Sequence, residues 1–498
     1  LGSQPTYSYS ALKRCLECFY DARANADQRI TPEVLEDVDV LVLKTPTKPF
    51  LVSEGEAIEA FVRRGGGLFL IGDHDNLFGM TSHINPIAHL FGIRYLPDDT
   101  FDLTTGALTF YRPPRWFRHP IVQHIDELGF ETTCTLRASP LAEHAIIGYA
   151  LGREGVDYSH VNFFGNMQPD LDEAYGMFLQ GVAMRHHRGL VFALADSTIF
   201  SNFSLFQSGR LELFLGAMEY LNCRNRPGML LWGFAAAALG FLALVWRIRR
   251  LVRTSCSPAL LAVAFTFGAC LGSGILACVH QREYPPARPK RPYPGVTFES
   301  QFSQYRLAEM LDFTPFDAEQ CYETFYVNVL RLGRFPRQVG DFREALRGSD
   351  PVVLINPVGR VGASEAEALD RFVRAGGRVL LMLGNSIPTG TANTLLQSLG
   401  MRIELGRQGG PPAAGDATRS PVFEIVGGEA IPVPNELLRD KAVCPVIAEK
   451  QAGAGRLVVV TGADLLSRRH VGPVFYNPDE GQRRLYRLEY FIFDKLLR

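Results

Sequence analysis

The sequence predicts an α/β protein made of two tandem parallel-sheet domains with a two-helix transmembrane hairpin between them. Three observations predict it. Short runs with no polar position, such as Leu68 to Ile71, follow amphipathic helices closed by glycines, the pattern of strands buried on both faces of a parallel sheet. The first half of the chain recurs in the second: DVLVLKTP from Asp39 to Pro46 matches DPVVLINP from Asp350 to Pro357, and SEGEAIEAFVRRGG from Ser53 matches SEAEALDRFVRAGG from Ser364 at the same offset. LFGIR at Leu90 pairs with SLGMR at Ser398, and GLVFALAD at Gly189 with RLVVVTGAD at Arg456. Matching in order over most of both halves argues for two copies of one domain. Finally, Gly228 to Trp246 and Thr254 to Val279 carry no charged residue, and each is long enough to cross a hydrocarbon core as a helix.

These features divide the chain into a first α/β domain over 1–225, the hairpin over 226–282, a proline-rich basic spacer over 283–294 and a second α/β domain over 295–498. In order, Ala11 to Tyr20 reads as a short amphipathic helix, Thr31 to Val38 as a capped turn and Val40 to Leu43 as a buried strand. Ser53 with Glu56 forms a capping box, Ile58, Phe61 and Val62 share one helical face, and Gly65 to Gly67 end that helix. The buried strand Leu68 to Ile71 ends in Asp73, His74, Asp75 and Asn76. His83 to Gly92 and Asp170 to His186 read as helices, Gly189 to Leu194 as a strand ending at Asp196-Ser197, and Leu211 to Leu221 as a last helix before the apolar segment. In the second copy Gly295 to Glu299 reads as a strand before a helix at Arg306 to Leu311. Matching Leu12 and Leu16 to Leu307 and Leu311 leaves no room for that strand in the first copy, so the gene product is expected to extend upstream of Leu1.

A net charge of −1 over 498 residues gives no support for a nucleic-acid partner held by a broad basic surface. Arg247, Arg249, Arg250 and Arg253 between the apolar runs place the turn on the cytoplasmic side, which puts both globular domains on the same, extracytoplasmic side of an integral membrane protein. The lipid bilayer and integral-membrane subunits are then the expected partners. Nine cysteines are scattered in a manner unlike a disulfide framework, and the CxxC at Cys15 and Cys18 has no second half to complete a zinc site.

Ligands of open parallel sheets bind beyond the carboxyl ends of the strands. Asp73, His74, Asp75 and Asn76 at one strand end and Asp196 and Ser197 at another are therefore the candidate ligand-binding residues. Asp73, His74, Asp75, His83 and Asp196 are candidate ligands of a divalent metal, whose bound water would allow hydrolysis; His89 and His160 could approach from loops. The same residues read equally as caps: Asp73 and Asp196 can accept backbone N–H bonds from the turns that follow them. The cofactor, if the site takes one, is unknown from the sequence.

Helix, glycines, buried strand and polar cluster, followed by a strand ending ADSTIFSN at Ala195 to Asn202, resemble the class I glutamine amidotransferase-like superfamily. HPIVQHI at His119 to Ile125 is similar to a segment of its membrane-tethered members, the gliding-motility-type auxiliary components of ABC transporters. The resemblance implies flavodoxin-like, amidotransferase-like domains and an accessory subunit of a transport, motility or envelope assembly. It also implies a nucleophilic cysteine on a tight strand-to-helix turn. The first copy has IGDHDN there and the second MLGNS at Met382 to Ser386, so neither carries the thiol. A non-catalytic, membrane-anchored accessory or interaction subunit is the leading expectation, and a metal-assisted hydrolase using Asp73, His74 and Asp75 the alternative.

Overall fold

The structure, a computed structural model, describes residues 8–102, 109–113, 118–140, 142–154, 171, 173–222, 240, 243, 246–247, 258–308, 317–406, 423–437 and 445–497. It is a mixed α/β protein with two principal sheets. The strands of the first are β1 (Val40–Lys44), β2 (Gly67–Ile71), β3 (Asp99–Asp102), β4 (Glu143–Glu154), β5 (Ala174–His186) and β6 (Gly189–Leu194), in the order β1-β2-β6-β5-β4-β3. The pairs β1-β2 and β2-β6 are parallel; the others are antiparallel. The strands of the second are β7 (Gly295–Glu299), β8 (Phe335–Val339), β9 (Val352–Ile355), β10 (Arg378–Leu383), β11 (Glu429–Ile431), β12 (Val446–Ala452) and β13 (Gly455–Thr461), in the order β8-β7-β9-β10-β13-β12-β11. There β8-β7-β9-β10-β13 is parallel and the remainder antiparallel.

Alternation along the central strands explains why both faces are covered. Leu68 and Leu70 of β2 and Val191 and Ala193 of β6 point into one cluster, with helices α2 (Val52–Arg64) and α3 (Met80–His89). Phe69, Ile71, Phe192 and Leu194 point into the other, with α1 (Ser10–Phe19) and α4 (Arg210–Asn222). Each fully buried phenylalanine of this set contributes about 1.5–3 kcal/mol of hydrophobic stabilisation. Gly65 ends α2 at φ 118°, a backbone open chiefly to glycine. The cap sits two residues before the expected box: α2 starts at Val52, and the Glu54 carboxylate accepts the Leu51 N–H at 2.9 Å.

The second domain repeats this plan with α6 (Glu323–Asn328), α7 (Ala363–Arg374), α8 (Gly390–Gln397) and α9 (Glu480–Leu497), after α5 (Pro258–Glu283). The halves share a core: Val353, Ile355, Leu380, Met382 and α9 residues Leu488, Ile492 and Phe493 join the cluster of α1 and α4. Across the junction, the Tyr326 hydroxyl donates to the Phe206 carbonyl at 2.6 Å, and Arg14 donates to the Leu330 carbonyl at 3.1 Å.

Several sequence expectations change. Asp170 to His186 was expected to be helical; its described part from Ala174 is strand β5, because Gly176 and Gly181 weaken a helix and the ladder to β6 pairs every residue from Gly181 to His186. The helix expected at Arg306 to Leu311 is absent over Arg306 to Ala308, where Arg306 bridges Cys321; the rest lies outside the described residues.

Among the described residues no helix is long and apolar enough to cross a membrane, so the transmembrane hairpin, the two-span integral-membrane placement and the extracytoplasmic siding are corrected. Apart from Gly240, Ala243, Trp246 and Arg247, the run from Gly228 through the arginine link lies outside the described residues. The described end of α5 is polar, with Ser273 buried and His280, Gln281, Arg282 and Glu283 in sequence. It docks on the first domain, where the Gln123 amide donates to the carbonyls of His280 and Tyr284 at 3.3 and 2.7 Å.

Candidate functional site

Because β2 and β6 are parallel neighbours, their carboxyl ends bring Asp73 to Asp75 and Asp196-Ser197 together, as the sequence suggested. Asp73 is 3% exposed and accepts at both oxygens. Its Oδ1 takes the His74 N–H at 2.9 Å, His74 Nδ1 at 2.6 Å and the Thr132 hydroxyl at 3.2 Å. Its Oδ2 takes the Ser197 hydroxyl at 2.5 Å and that of Thr198 at 3.5 Å. Asp196 ties two turns together: Oδ2 accepts the N–H groups of Glu131 and Thr132, and Oδ1 those of Thr198 and Ile199. Both carboxylates thus act as backbone caps, and Asp73 also holds a buried imidazole.

The turn after β2 is strained. Asp75, Asn76 and Phe78 have φ of 52°, 54° and 50°, and Gly79 has 78°. Each non-glycine residue held there costs on the order of 1–3 kcal/mol, tolerated where the surroundings fix it. Asn76 steps out of the cluster, and its Oδ1 caps α3 by accepting the Ser82 N–H at 2.8 Å. Phe78 projects into solvent at 76% exposure. Asp75 is buried, yet among the described residues neither of its carboxylate oxygens has a hydrogen-bond partner.

The sequence reading missed four neighbours. Asp98 and Asp99, at the start of β3, are buried; Asp98 accepts the N–H and hydroxyl of Thr135, and its carbonyl takes the Asp75 N–H. Consecutive aspartates after Leu96-Pro97 were the available signal. Lys44, the last residue of β1, lies over the Tyr9 ring with Nζ 3.1 Å from its centroid, and the Tyr9 hydroxyl meets Ser197 Oγ at 3.3 Å. Nothing in the sequence marks Tyr9 and Lys44 as a pair.

The charges set one another. Burial opposes the His74 charge, but the hydrogen bond to Asp73 and the charges of Asp73, Asp99 and Asp75 outweigh it and raise the imidazole to about 9. Burial likewise works against ionised Asp73, and the His74 and Ser197 contacts win, holding its carboxyl below the usual range. Burial, then the Asp99 charge, pushes Asp75 up to about 8; burial pushes Asp99 up to about 7. Burial and Asp73 push Asp196 up to about 8 against its N–H donors. Burial brings Lys44 down to about 7, with Asp73 and Asp196 opposing.

What this can do chemically is limited. Ser197 donates to Asp73 rather than to His74, so no serine-to-histidine relay forms, and Ser197 is itself buried. Among the described residues no group of three His, Cys, Asp or Glu could hold a metal ion. The expected metal set of Asp73, His74, Asp75, His83 and Asp196 is therefore not assembled: Asp73 and Asp196 turn their oxygens to hydrogen-bond donors, and His83 stands beside Gly79. His89 is exposed on α3, and His160 lies outside the described residues.

In the second domain the corresponding turn is neutral. The register places Gly384, Asn385 and Ser386 where the first domain has Asp73, His74 and Asp75, and Ile355-Asn356 where it has Lys44-Thr45. The sequence match of GLVFALAD with RLVVVTGAD sets Asp464 opposite Asp196, but the register puts Gly462 there. Asp464 Oδ2 instead accepts the Asn385 N–H at 2.7 Å, the bond Asp73 makes to the N–H of His74. Gly384 leaves room for it, since a Cβ there would run into Asp464 Oδ1.

No known family model matches the chain, and no curated protein matches it. Among solved structures, similar chains include the mmIFT52 N-terminal domain, at 14% identity and a TM-score of 0.33, covering 43% of this chain and 90% of that one. A ThuA-like protein of Parabacteroides merdae aligns at 12% identity and a TM-score of 0.29, covering 44% of this chain and 87% of its own. A cytoplasmic protein of Salmonella typhimurium aligns at 16% identity and a TM-score of 0.27, covering 42% and 85%.

Proposed function

We propose that the chain is a non-catalytic accessory or interaction protein, in which two amidotransferase-like domains form one scaffold for a larger assembly. The observation that carries this reading is the closed bonding of the strand-end turns. Asp73 accepts from His74, Thr132, Ser197 and Thr198, Asp464 and Asn356 accept the N–H groups of Asn385 and Gly384, and neither turn offers a thiol. Groups spent on one another hold the fold and are not free to attack a substrate. The assembly type, ABC-transporter-like or motility-like, is supported by the sequence resemblance alone.

One observation favours a hydrolytic second reading. Asp75 is a buried carboxyl without a hydrogen-bond partner among the described residues, in a strained turn, and pushed up to about 8 it is protonated at neutral pH, as a general acid must be. Turnover of model amide, ester and phosphoester substrates by the purified chain and its Asp75→Asn variant separates the two. The accessory reading expects no turnover from either. Turnover by the wild type that Asp75→Asn abolishes would replace it with the hydrolase.

A further inference from the structure

At the end of the second sheet away from the Asn385 turn, two segments that lead into neighbouring parallel strands enclose a cleft of about 640 Å³. The short helix Phe342–Ala345 and the turn after it run into β9; the last turn of α7 and Gly376-Gly377 run into β10. Arg343, Arg347 and Arg371 supply the charge of the cleft, and Leu346, Ala368 and Phe372 its apolar surface. Leu346 and Phe372 pack against the cluster that holds Leu369 and Val373, yet both stay half-buried. The volume falls in the range of small-molecule sites.

No carboxylate lines this cleft. Nearby arginines are neutralised: Arg374 pairs with Asp370 at 2.8 Å and Arg337 with Asp350 at 3.8 Å. Arg343 reaches Glu365 at 3.4 Å, a partly exposed pair that contributes little. Arg347 and Arg371 have no ion pair among the described residues. The last turn of α7 suits Arg371, because a cation complements the carbonyl end of a helix, but that accounts neither for Arg347 nor for the cleft.

The first domain keeps the framework and drops the charge. Its α2 matches α7 at a fixed offset that the strand register shares, so Phe61 stands for Phe372 and Ala60 for Arg371. The turn that leads into β1 carries Glu33, Glu36 and Asp37 and no arginine, and Phe61 is 3% exposed where Phe372 is half-buried. The fold therefore stands without arginines at this end. We propose that the cleft of the second domain binds a phosphate ester of a flat, largely apolar body, such as an aryl or nucleoside phosphate. Arg343, Arg347 and Arg371 hold the phosphate, and Leu346 and Phe372 receive the body. A guanidinium fork meets two oxygens at once, and a phosphate with three terminal oxygens takes more than one fork, whereas one fork fills a carboxylate. The Ser349 hydroxyl lines the same cleft as a further donor. This site is separate from the Asp73 and Asp75 turn and goes beyond the accessory reading.

Isothermal titration of the purified full chain with AMP, phenyl phosphate, inorganic phosphate and adenosine tests this. Both esters are expected to bind saturably and one to one, inorganic phosphate to compete at least about tenfold more weakly, and adenosine to give no binding. Arg347→Gln and Arg371→Gln should each weaken AMP at least about tenfold; both side chains are exposed, so neither change threatens the fold. Arg64→Gln, in a separate basic cleft lined by Arg63, Arg64, His187 and Arg188, should leave AMP binding unchanged. Adenosine binding as tightly as AMP, or inorganic phosphate binding as tightly as either ester, overturns the proposal. So does unchanged affinity in Arg347→Gln and Arg371→Gln, a loss caused by Arg64→Gln, or the absence of saturable binding of both esters.

Discussion

Replacing Asp73 with asparagine keeps the side chain's shape while removing its charge and turning one acceptor into a donor. Both oxygens of Asp73 face donors, Oδ1 the two His74 nitrogens and Oδ2 the Ser197 hydroxyl, so either placement of the amide sets N–H against N–H or O–H. His74 would also lose its counter-charge. Raising the imidazole from 6.5 to about 9 corresponds to about 3 kcal/mol of coupling. The lowering of Asp73 is the same interaction seen from its partner and is counted once. His74 has its folded-state pKa raised, so this contribution is fully present below pH 6.5 and is lost as the pH rises through about 9. The wild type should therefore exceed Asp73→Asn by about 3 kcal/mol or more at pH 6 and by much less at pH 10, where about 1 kcal/mol of hydrogen bonding remains. Urea unfolding of both proteins at pH 6, 8 and 10 measures this, and taking their difference cancels to first order the titrations of Lys44, Asp75, Asp99 and Asp196. A difference independent of pH, or an Asp73→Asn variant as stable as the wild type at pH 6, would refute the buried ion pair.

Asp75→Asn should do the opposite at high pH. The raised carboxyl gives stability that is fully present below pH 3.8 and lost as the pH climbs through about 8, and asparagine tolerates the left-handed backbone; the variant should gain about 1–3 kcal/mol at pH 9 and little at pH 4, read from urea midpoints. Arg210 and Glu131 are fully buried and paired at 2.9 Å, so Arg210→Met should cost about 3–5 kcal/mol in chemical unfolding, part of it recovered by adding Glu131→Gln. A Cβ on Gly189 would strike the carbonyls of Val62 and Gly66, and one on Gly455 those of Val373 and Gly377. Alanine at either should lower the stability of its domain by about 1–3 kcal/mol or more, and a harmless Gly455→Ala beside a damaging Gly189→Ala would argue against equivalent packing of the two copies.

The framework was legible because it depends on local periodicity. The helices at Val52–Arg64 and Ala363–Arg374 and the apolar runs Leu68 to Ile71 and Val379 to Leu383 after them carry their own start, stop and burial signals. Strand β5 was not: alanine, methionine and leucine at helix-like spacing concealed a segment whose state is set by the ladder to β6. Most of the site was visible only in part for the same reason. Asp73, His74 and Asp196 sit at strand ends that the pattern marks, while Asp98, Asp99, Lys44 and Tyr9 arrive from three other segments, and only the fold makes them neighbours.

The two copies together show which part of the cluster is architecture. In both, the N–H at the matched position of the turn, His74 or Asn385, is capped by a carboxylate, yet the carboxylate comes from Asp73 in one and from Asp464, on the neighbouring strand end, in the other. A cap that can be delivered from either strand is a requirement of the turn, and it needs no ligand to explain it. Thr45 and Asn356 both have positive φ, 40° and 51°, at the end of β1 and β9, so that strain is framework as well. Subtracting these shared features leaves the Asp98-Asp99 pair together with Lys44, His74 and Asp75, and the second copy replaces the last three at the matched positions by Ile355, Asn385 and Ser386. His74 is accounted for by Asp73. Asp75 has no such account, and a buried carboxyl without a partner destabilises the fold at pH 9 whether it is idle or catalytic, so a stability gain from Asp75→Asn tests its burial while substrate turnover divides the two readings.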